Sequence, residues 1–271
     1  MKERIQKLLA SAGIASRRHI EEMVLQGRVK VNGKVAIDLP ILVDPREDRV
    51  EVDDEPVRLA TRATARRTYI LLNKPKGVVC TNVAQGEQLR AIDLLPRDLR
   101  ARVYPVGRLD ADSRGLLLLT DDGELTNRLT HPRYGVPKTY RAVVDGFITP
   151  QVIEQMQGGV WLAEKSGGKA VKTGRVQVQV KSRGRDRSVM EITLREGHNR
   201  QVRRMLAQVG HKVRDLMRIR MGPLTLHGLA PGQSRLLTPR EVGELREMIN
   251  RKGSQGLRMD PARAGPATQG T

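Results

Sequence analysis

Cysteine occurs once in this 271-residue chain, at Cys80. A single thiol excludes an internal disulfide framework and a cysteine-rich metal site, and Cys80 is expected to be a small buried residue in a strand. The N-terminus, Met1-Lys2-Glu3-Arg4, has no long apolar run, so neither a signal peptide nor a membrane span is expected and a cytoplasmic location follows. A nucleotide-binding glycine loop and a His-Glu-x-x-His helix are both missing, which leaves no expected cofactor and no expected metal. Aromatic residues are few: one tryptophan, one phenylalanine and four tyrosines. Acidic residues are also in deficit, with 30 Asp plus Glu against 49 Lys plus Arg and a net charge of +19. Such a balance favours a polyanionic partner, nucleic acid above all, because phosphate contacts release condensed counterions. A basic ribosomal protein or a membrane-surface protein would share that bulk number. The excess is local, however: residues 2–34 and 175–220 are basic, whereas 38–55 are acidic. Two basic regions predict two places to hold RNA.

The chain is long for one compact domain and comfortable for two. Residues 4–27 read as two short helices. Ile5, Leu8, Leu9 and Ala12 recur at helical spacing before Gly13, and Ser16 is placed to cap a second helix that carries Ile20, Met23, Val24 and Leu25 and ends at Gly27. Next, Arg28-Val29-Lys30-Val31-Asn32-Gly33-Lys34-Val35 sets two alternating stretches around Asn-Gly, a hairpin signal with Val29 and Val31 facing inward. Strands are expected at 41–43, 49–52, 68–72, 139–144, 174–181, 189–194 and 218–221. Helices are expected at 125–130, 150–157, 199–208 and 239–250. The resulting expectation is an α+β chain: a small domain over 1–60, a linker over 61–67, a larger domain with a mainly antiparallel sheet over 68–250, and a disordered tail over 251–271.

The most informative stretch is 104–120. Gly107-Arg108-Leu109-Asp110 sets one carboxylate just before the apolar run Leu116-Leu117-Leu118-Leu119, where desolvating a charge is costly unless a partner or a reaction uses it. Tyr104-Pro-Val-Gly-Arg-Leu-Asp-Ala-Asp-Ser-Arg-Gly-Leu-Leu-Leu-Leu-Thr-Asp-Asp-Gly-Glu-Leu resembles the signature of bacterial ribosomal-RNA pseudouridine synthases. Asn73-Lys74-Pro75-Lys76-Gly77, Lys138-Thr139-Tyr140 and Leu194-Arg195-Glu196-Gly197-His198-Asn199-Arg200-Gln201-Val202-Arg203-Arg204-Met205 are similar to further segments of that family. The first 60 residues resemble the small RNA-binding domain, helix-turn-helix plus hairpin, of a small-subunit ribosomal protein and many RNA-modifying enzymes.

This resemblance implies a catalytic site of Asp110, Tyr140 and Arg203. Asp110 would be the catalytic carboxylate, Tyr140 would stack on the uracil, and Arg203 would pair with Asp110. Arg108 would fill the space vacated by an extruded base, since a stacked base cannot be reached in place. Arg200 and Arg204 are expected phosphate contacts, and Arg17, Arg18, Arg28, Lys30 and Asn32 are the expected RNA-facing residues of the small domain. Asn199 is expected to cap the helix that carries these arginines. Ser113-Arg114, Asp121 and His198 depart from the commonest family pattern. Asp112 is read as a turn or cap residue, and Asp121-Asp122-Gly123-Glu124 as a helix start.

Breaking the bond from uracil to ribose and rejoining the base through carbon exchanges no electrons or atoms with a cofactor. The residues leave open whether Asp110 attacks the nucleotide or takes a sugar proton. The expected activity is isomerisation of a uridine in ribosomal RNA by a monomer, with large-subunit RNA favoured over small-subunit RNA. The alternatives are a non-catalytic RNA-binding assembly factor and another base-modifying enzyme, such as a methyltransferase. Joint retention of Asp110, Tyr140 and Arg203 weighs against the first, and the missing cofactor loop against the second.

Overall fold

The computed structural model describes residues 2–59, 67–84, 86–99, 102–163 and 170–255, with side chains to Arg251. Two compact units are present. The first contains the described residues up to Thr68, together with those of 97–103 and 120–123, and the second contains the rest. Most of the expected linker and the tail beyond 255 lie outside the described residues.

In the first unit, β1 (Glu3–Arg4) leads into α1 (Ile5–Ser11) and α2 (Arg17–Leu25). The Ser16 side chain accepts from the His19 N–H at 3.2 Å, the N-cap its position foretells. Then follow β2 (Val29–Val31), β3 (Lys34–Val35), β4 (Leu42–Val43), β5 (Val50–Val52) and β6 (Glu55–Val57). Asn32 (φ 52°) and Gly33 (φ 78°) form the left-handed pair that an Asn-Gly hairpin requires. The sheet order is β3-β2-β5-β6, and β1 pairs separately with β4. Ile5, Leu9, Ile20, Val24 and Val29 are buried in one core under the two helices.

The second unit is built on a nine-stranded sheet. Its elements are β7 (Tyr69–Lys74), β8 (Tyr104–Pro105), β9 (Arg114–Thr120), α3 (Gly123–Thr130), β10 (Lys138–Asp145) and α4 (Pro150–Gln157). After the short pair β11 (Trp161–Leu162) and β12 (Val171–Lys172) come β13 (Gln177–Arg183), β14 (Arg187–Leu194), α5 (Gln201–Gln208) and β15 (Val213–Met221). The chain ends in β16 (Leu224–Thr225), β17 (Ser234–Leu236) and α6 (Pro239–Gln255). The main order is β13-β14-β10-β15-β9-β7-β17, with β8 on β9 and β16 on β15. The fold is therefore α+β with a mainly antiparallel sheet. The last helix continues to Gln255, so the expected disorder does not begin at residue 251.

Burial explains the sequence patterns. In β14, Ser188, Met190, Ile192 and Leu194 are buried in alternation, as a strand with one covered face demands. By contrast β9 is central, and Leu116, Leu117, Leu118 and Leu119 are all fully buried, so both faces are covered. Each such leucine contributes about 1.5–3 kcal/mol on transfer from water.

Parallel pairing occurs where β15 meets β9, with Met217 opposite Arg114 and Arg218 opposite Gly115. Gly115 has φ +107°, and a Cβ placed there would lie 2.3 Å from the Arg218 carbonyl oxygen and 2.8 Å from its nitrogen. Both obstacles are backbone, so nothing flexible can move aside. Gly115→Ala should cost about 3–5 kcal/mol, combining backbone strain with overpacking. Thermal unfolding checks this: an unchanged melting temperature would show that the seam does not depend on the missing Cβ.

Candidate active site

Asp110 sits in the turn between β8 and β9. Its carbonyl accepts from the Ser113 N–H at 3.0 Å, the Ala111 carbonyl accepts from the Gly77 N–H at 2.8 Å, and the Leu109 N–H reaches Cys80 Sγ at 3.4 Å. Leu109 and Ser113 are buried on either side. The Asp110 side chain retains 31% exposure, so the carboxylate is held at a surface rather than sunk in the core. Cys80 is only partly buried and lies outside the strands, contrary to expectation; its sulfur supports this turn.

Arg200 is the cation at Asp110, with Nη1 3.3 Å from Oδ2. It also grips Asp112 with two hydrogen bonds, Nη1 to Oδ1 at 3.1 Å and Nη2 to Oδ2 at 2.8 Å. This guanidinium holds the Asp112 carboxyl below the usual carboxylate range. Arg203, expected to pair with Asp110, instead lies 3.4 Å from Asp112 Oδ2 and donates to the Asp112 carbonyl at 3.1 Å and to Ser113 Oγ at 3.4 Å. Asp112 lies in this turn, as expected, and is also an ion-pair centre. Arg204 donates to the carbonyls of Ala163 and Asn199.

The exchange between Arg200 and Arg203 has a local cause. Asn199 does not cap α5; the N-cap position belongs to Arg200, in the left-handed region at φ 48° and with no side-chain cap bond. A non-glycine residue held there marks a constrained loop. The constraint is Gln201, which is 3% exposed. Its Oε1 accepts from the His198 N–H at 3.1 Å and its Nε2 donates to Glu196, which in turn accepts from the Gly174 N–H at 2.9 Å.

Tyr140, Arg108, Asp110, Arg200 and Arg218 line one pocket of about 610 Å³, within the range of small-ligand sites. Tyr140 is half-buried beside Ala142 and Val144 on the inward face of β10, as alternation suggests. Arg108 is exposed and has no carboxylate partner among the described residues. Two buried cations escaped sequence reasoning. Lys74, fully buried at the end of β7, donates to the Pro75 and Val78 carbonyls at 2.9 and 2.7 Å. Burial pushes its pKa down, against the pull of Cys80, Asp110 and Asp112. Arg218 is 2% exposed and donates through Nε to the Leu116 carbonyl at 2.7 Å. A lysine closing the apolar strand 69–73 was the available signal for the first; Arg218 had none.

The five expected RNA-facing residues of the first unit divide. Arg28 makes a two-pronged pair with Asp53 at 2.7 Å per bond, Lys30 pairs with Asp54 at 2.5 Å, and Asn32 donates to Asp48 at 2.8 Å. The acidic segment therefore folds back onto the basic hairpin. Arg17 and Arg18 are exposed and have no ion-pair partner among the described residues.

Residues 68–208 match the model of the RNA pseudouridylate synthase family, and residues 3–44 match the S4 domain. An uncharacterised RNA pseudouridine synthase of Aquifex aeolicus is 41% identical over 252 residues, covering 93% of this chain and 97% of that protein. Ribosomal large subunit pseudouridine synthase B of Bacillus subtilis is 40% identical over 258 residues, covering 92% and 97% respectively. Among solved structures, a pseudouridylate synthase superposes with a TM-score of 0.63 at 27% identity, covering 89% of this chain and 99% of that one.

The base of the Asp110 turn is tied to β15 by one further cluster. Asp215 pairs with Arg114 at 2.8 Å and with Lys76 at 2.7 Å. The Arg114 guanidinium, aided by Lys76 and opposed by burial, lowers the Asp215 carboxyl from 3.8 to about 2. A depressed carboxylate stabilises the fold above its unfolded pKa and loses that contribution as pH falls through its folded value. Wild type should therefore exceed Asp215→Asn in unfolding free energy by about 1–2 kcal/mol near neutrality, discounted for screening. The gap should close as pH falls from about 4 towards 2. Denaturant unfolding across that range tests it, and a gap that stays constant with pH would contradict the assignment.

Proposed function

The chain belongs to the RNA pseudouridylate synthase family, and on that premise we propose that it isomerises one uridine of ribosomal RNA, in the large subunit, through Asp110. The observation that carries this reading is the half-exposed Asp110 carboxylate, 3.3 Å from Arg200, in a pocket shared with Tyr140 and Arg108. A carboxylate fixed by its own turn and faced by a cation is a group that either attack on the sugar of a flipped nucleotide or removal of a sugar proton can use. Tyr140 supplies a ring for the uracil. Arg108, unpaired among the described residues, suits the space that the extruded base leaves.

Arg200 takes the role of Asp110's partner in this reading. Arg203 positions the turn through Asp112 and Ser113. Phosphate contact falls to Arg204 and to whatever share of Arg200 the two carboxylates leave. Large-subunit RNA is preferred because the relative from Bacillus subtilis carries that substrate in its name. No cofactor is needed, since the product has the atoms and electrons of the substrate. Ribosomal RNA as substrate implies a cytoplasmic enzyme, and we take the monomer as the working unit. The first domain would add affinity by tethering, which raises the effective concentration of the catalytic domain at its site.

Mapping pseudouridine in ribosomal RNA treated with wild type and with Asp110→Asn tests the reading directly. One new site with wild type, absent with the variant, is expected. Tight binding without modification of either free RNA or assembling particles would favour a non-catalytic assembly factor. The pairings in the S4 domain give a second expectation. Arg17→Ala or Arg18→Ala should weaken RNA binding uniformly across sequences and reduce the salt slope by about one each. Arg28→Ala should change it far less, because Asp53 already occupies that guanidinium. Filter binding over a salt series separates these outcomes, and a larger loss for Arg28→Ala would reverse the assignment.

A further inference from the structure

Arg218 is the largest cation buried beside the pocket, and its charge is unanswered. The residue is 2% exposed, yet among the described residues its guanidinium makes one hydrogen bond, from Nε to the Leu116 carbonyl at 2.7 Å. Nη2 is buried with no acceptor. No carboxylate pairs with it among the described residues, and those nearby are engaged elsewhere: Asp110 and Asp112 with Arg200, and Asp215 with Arg114 and Lys76. Burying an unpaired charge is among the costliest choices a fold can make. A neutral donor could have bridged to Leu116 without that cost.

The guanidinium is also placed. Arg218 stands opposite Tyr140 on the neighbouring strand, and directly opposed residues share a face of the sheet. Between Tyr140–Arg218 and Thr139–Arg220 the register slips by one residue, so Ile219 forms a bulge. The bulge separates two arginines that plain alternation would keep together: Arg218 is buried and Arg220 is exposed. The Nε bond and the tight approach of Gly115 then fix the head group, which lines the same pocket as Asp110 and Tyr140.

Resting on the uridine-isomerising reading above, we propose that Arg218 is a catalytic residue that receives a carbonyl oxygen of the flipped uracil and carries the charge developing there. When the C1′–N1 bond breaks, its electron pair leaves with the base, which becomes an anion spread over N1, O2 and O4. After the base turns, C5 bonds to C1′, the C5 proton is lost and N1 takes up a proton. Atoms and electrons balance on either route. If Asp110 attacks C1′, its bond to that carbon breaks as C5 bonds there; if Asp110 takes the C2′ proton, it returns that proton to C2′ as C5 adds to C1′. In both cases the base carries the pair. A fixed, desolvated donor aimed at that anion is stronger than the same donor in water and needs no reorganisation.

The test uses full-length Arg218→Met and Arg218→Lys on the ribosomal RNA fragment that wild type modifies, under single-turnover conditions. The target residue is uridine, 2-thiouridine or 4-thiouridine. Arg218→Met should lower the rate about 10²–10³-fold, with RNA affinity within about twofold and a melting temperature not reduced in proportion, because an unpaired buried charge is removed. Arg218→Lys should recover part of the rate. Sulfur accepts hydrogen bonds poorly, so at the contacted oxygen it should slow wild type more than Arg218→Met and shrink the rate ratio between them about tenfold. The proposal fails if Arg218→Met keeps its rate within about threefold, if the ratio is the same on all three RNAs, or if the loss lies in RNA affinity and its salt dependence, which would indicate a phosphate contact. Should Arg218→Met not fold, the thio comparison with Arg218→Lys decides alone. Wild type inactive on every ribosomal RNA would overturn the functional reading, and this inference with it; active wild type matched by Arg218→Met overturns this inference only.

Discussion

The second unit depends on one close approach, the parallel seam where the backbone of β9 meets that of β15 at Gly115 and Arg218. A side chain at residue 115 would collide with main-chain atoms within 2.8 Å, so the two central strands can touch only because the Cβ is missing. Much of the candidate site is registered from that contact. The Asp110 turn enters β9 immediately before it. Arg114, one residue earlier, reaches across to Asp215 on β15. Tyr140, on the far side of β15, is aligned by its pairing with Arg218. Moving β9 by one residue at the seam would send its side chains, Arg114 among them, to the opposite face of the sheet.

Electrostatics in both units follow one economy. The chain has a large surplus of cations, yet its carboxylates are not scattered among them. In the first unit, Asp53, Asp54 and Asp48 hold the polar edge of the hairpin in place. In the second, Asp112 collects Arg200 and Arg203, and Asp215 collects Arg114 and Lys76. Exposed pairs of this kind contribute little to stability individually. Their effect is to orient: a guanidinium gripped at two points cannot wander, and its remaining donors face a set direction. Arg17, Arg18 and Arg108 are left without such partners among the described residues, which suits the RNA contacts proposed for them.

Local chemistry was legible in the sequence wherever the cause is local. Asn32-Gly33 demanded a hairpin and Ser16 a helix cap, Leu116 to Leu119 a buried element, strand or helix, and the long motifs pointed to Asp110, which the fold sets in the pocket. Legibility ended where a long-range or irregular backbone decides. Which arginine reaches Asp110 goes with the left-handed turn at Arg200, beside a buried Gln201 tied to Glu196, whereas the family resemblance implied Arg203. Pairing of Arg28 with Asp53 joins residues far apart in sequence and is invisible to periodicity. Arg218 and Arg220 look equivalent in Arg218-Ile219-Arg220, and only the bulge at Ile219 buries one and exposes the other. Cys80 was misplaced for a similar reason: an apolar neighbourhood in sequence does not reveal a loop that supports a turn.

The division of charge within the pocket gives the reaction a direction. Asp110 keeps 31% of its side chain exposed, whereas Arg218 keeps 2% of the residue, so the anionic group lies nearer solvent and the cationic group deeper. A nucleotide entering base-first would present its sugar to the carboxylate and its uracil carbonyls to the guanidinium. The C1′–N1 bond would then lie along the line from negative to positive charge. Heterolysis moves an electron pair along that line towards Arg218, so Arg218 would favour the departing uracil anion over the uncharged base of the ground state. That difference, not tight binding of the ground state, is what accelerates a reaction. An unpaired buried cation is a poor bargain for stability alone. On the proposal above it becomes intelligible, in a site whose bound uracil turns negative only while it reacts.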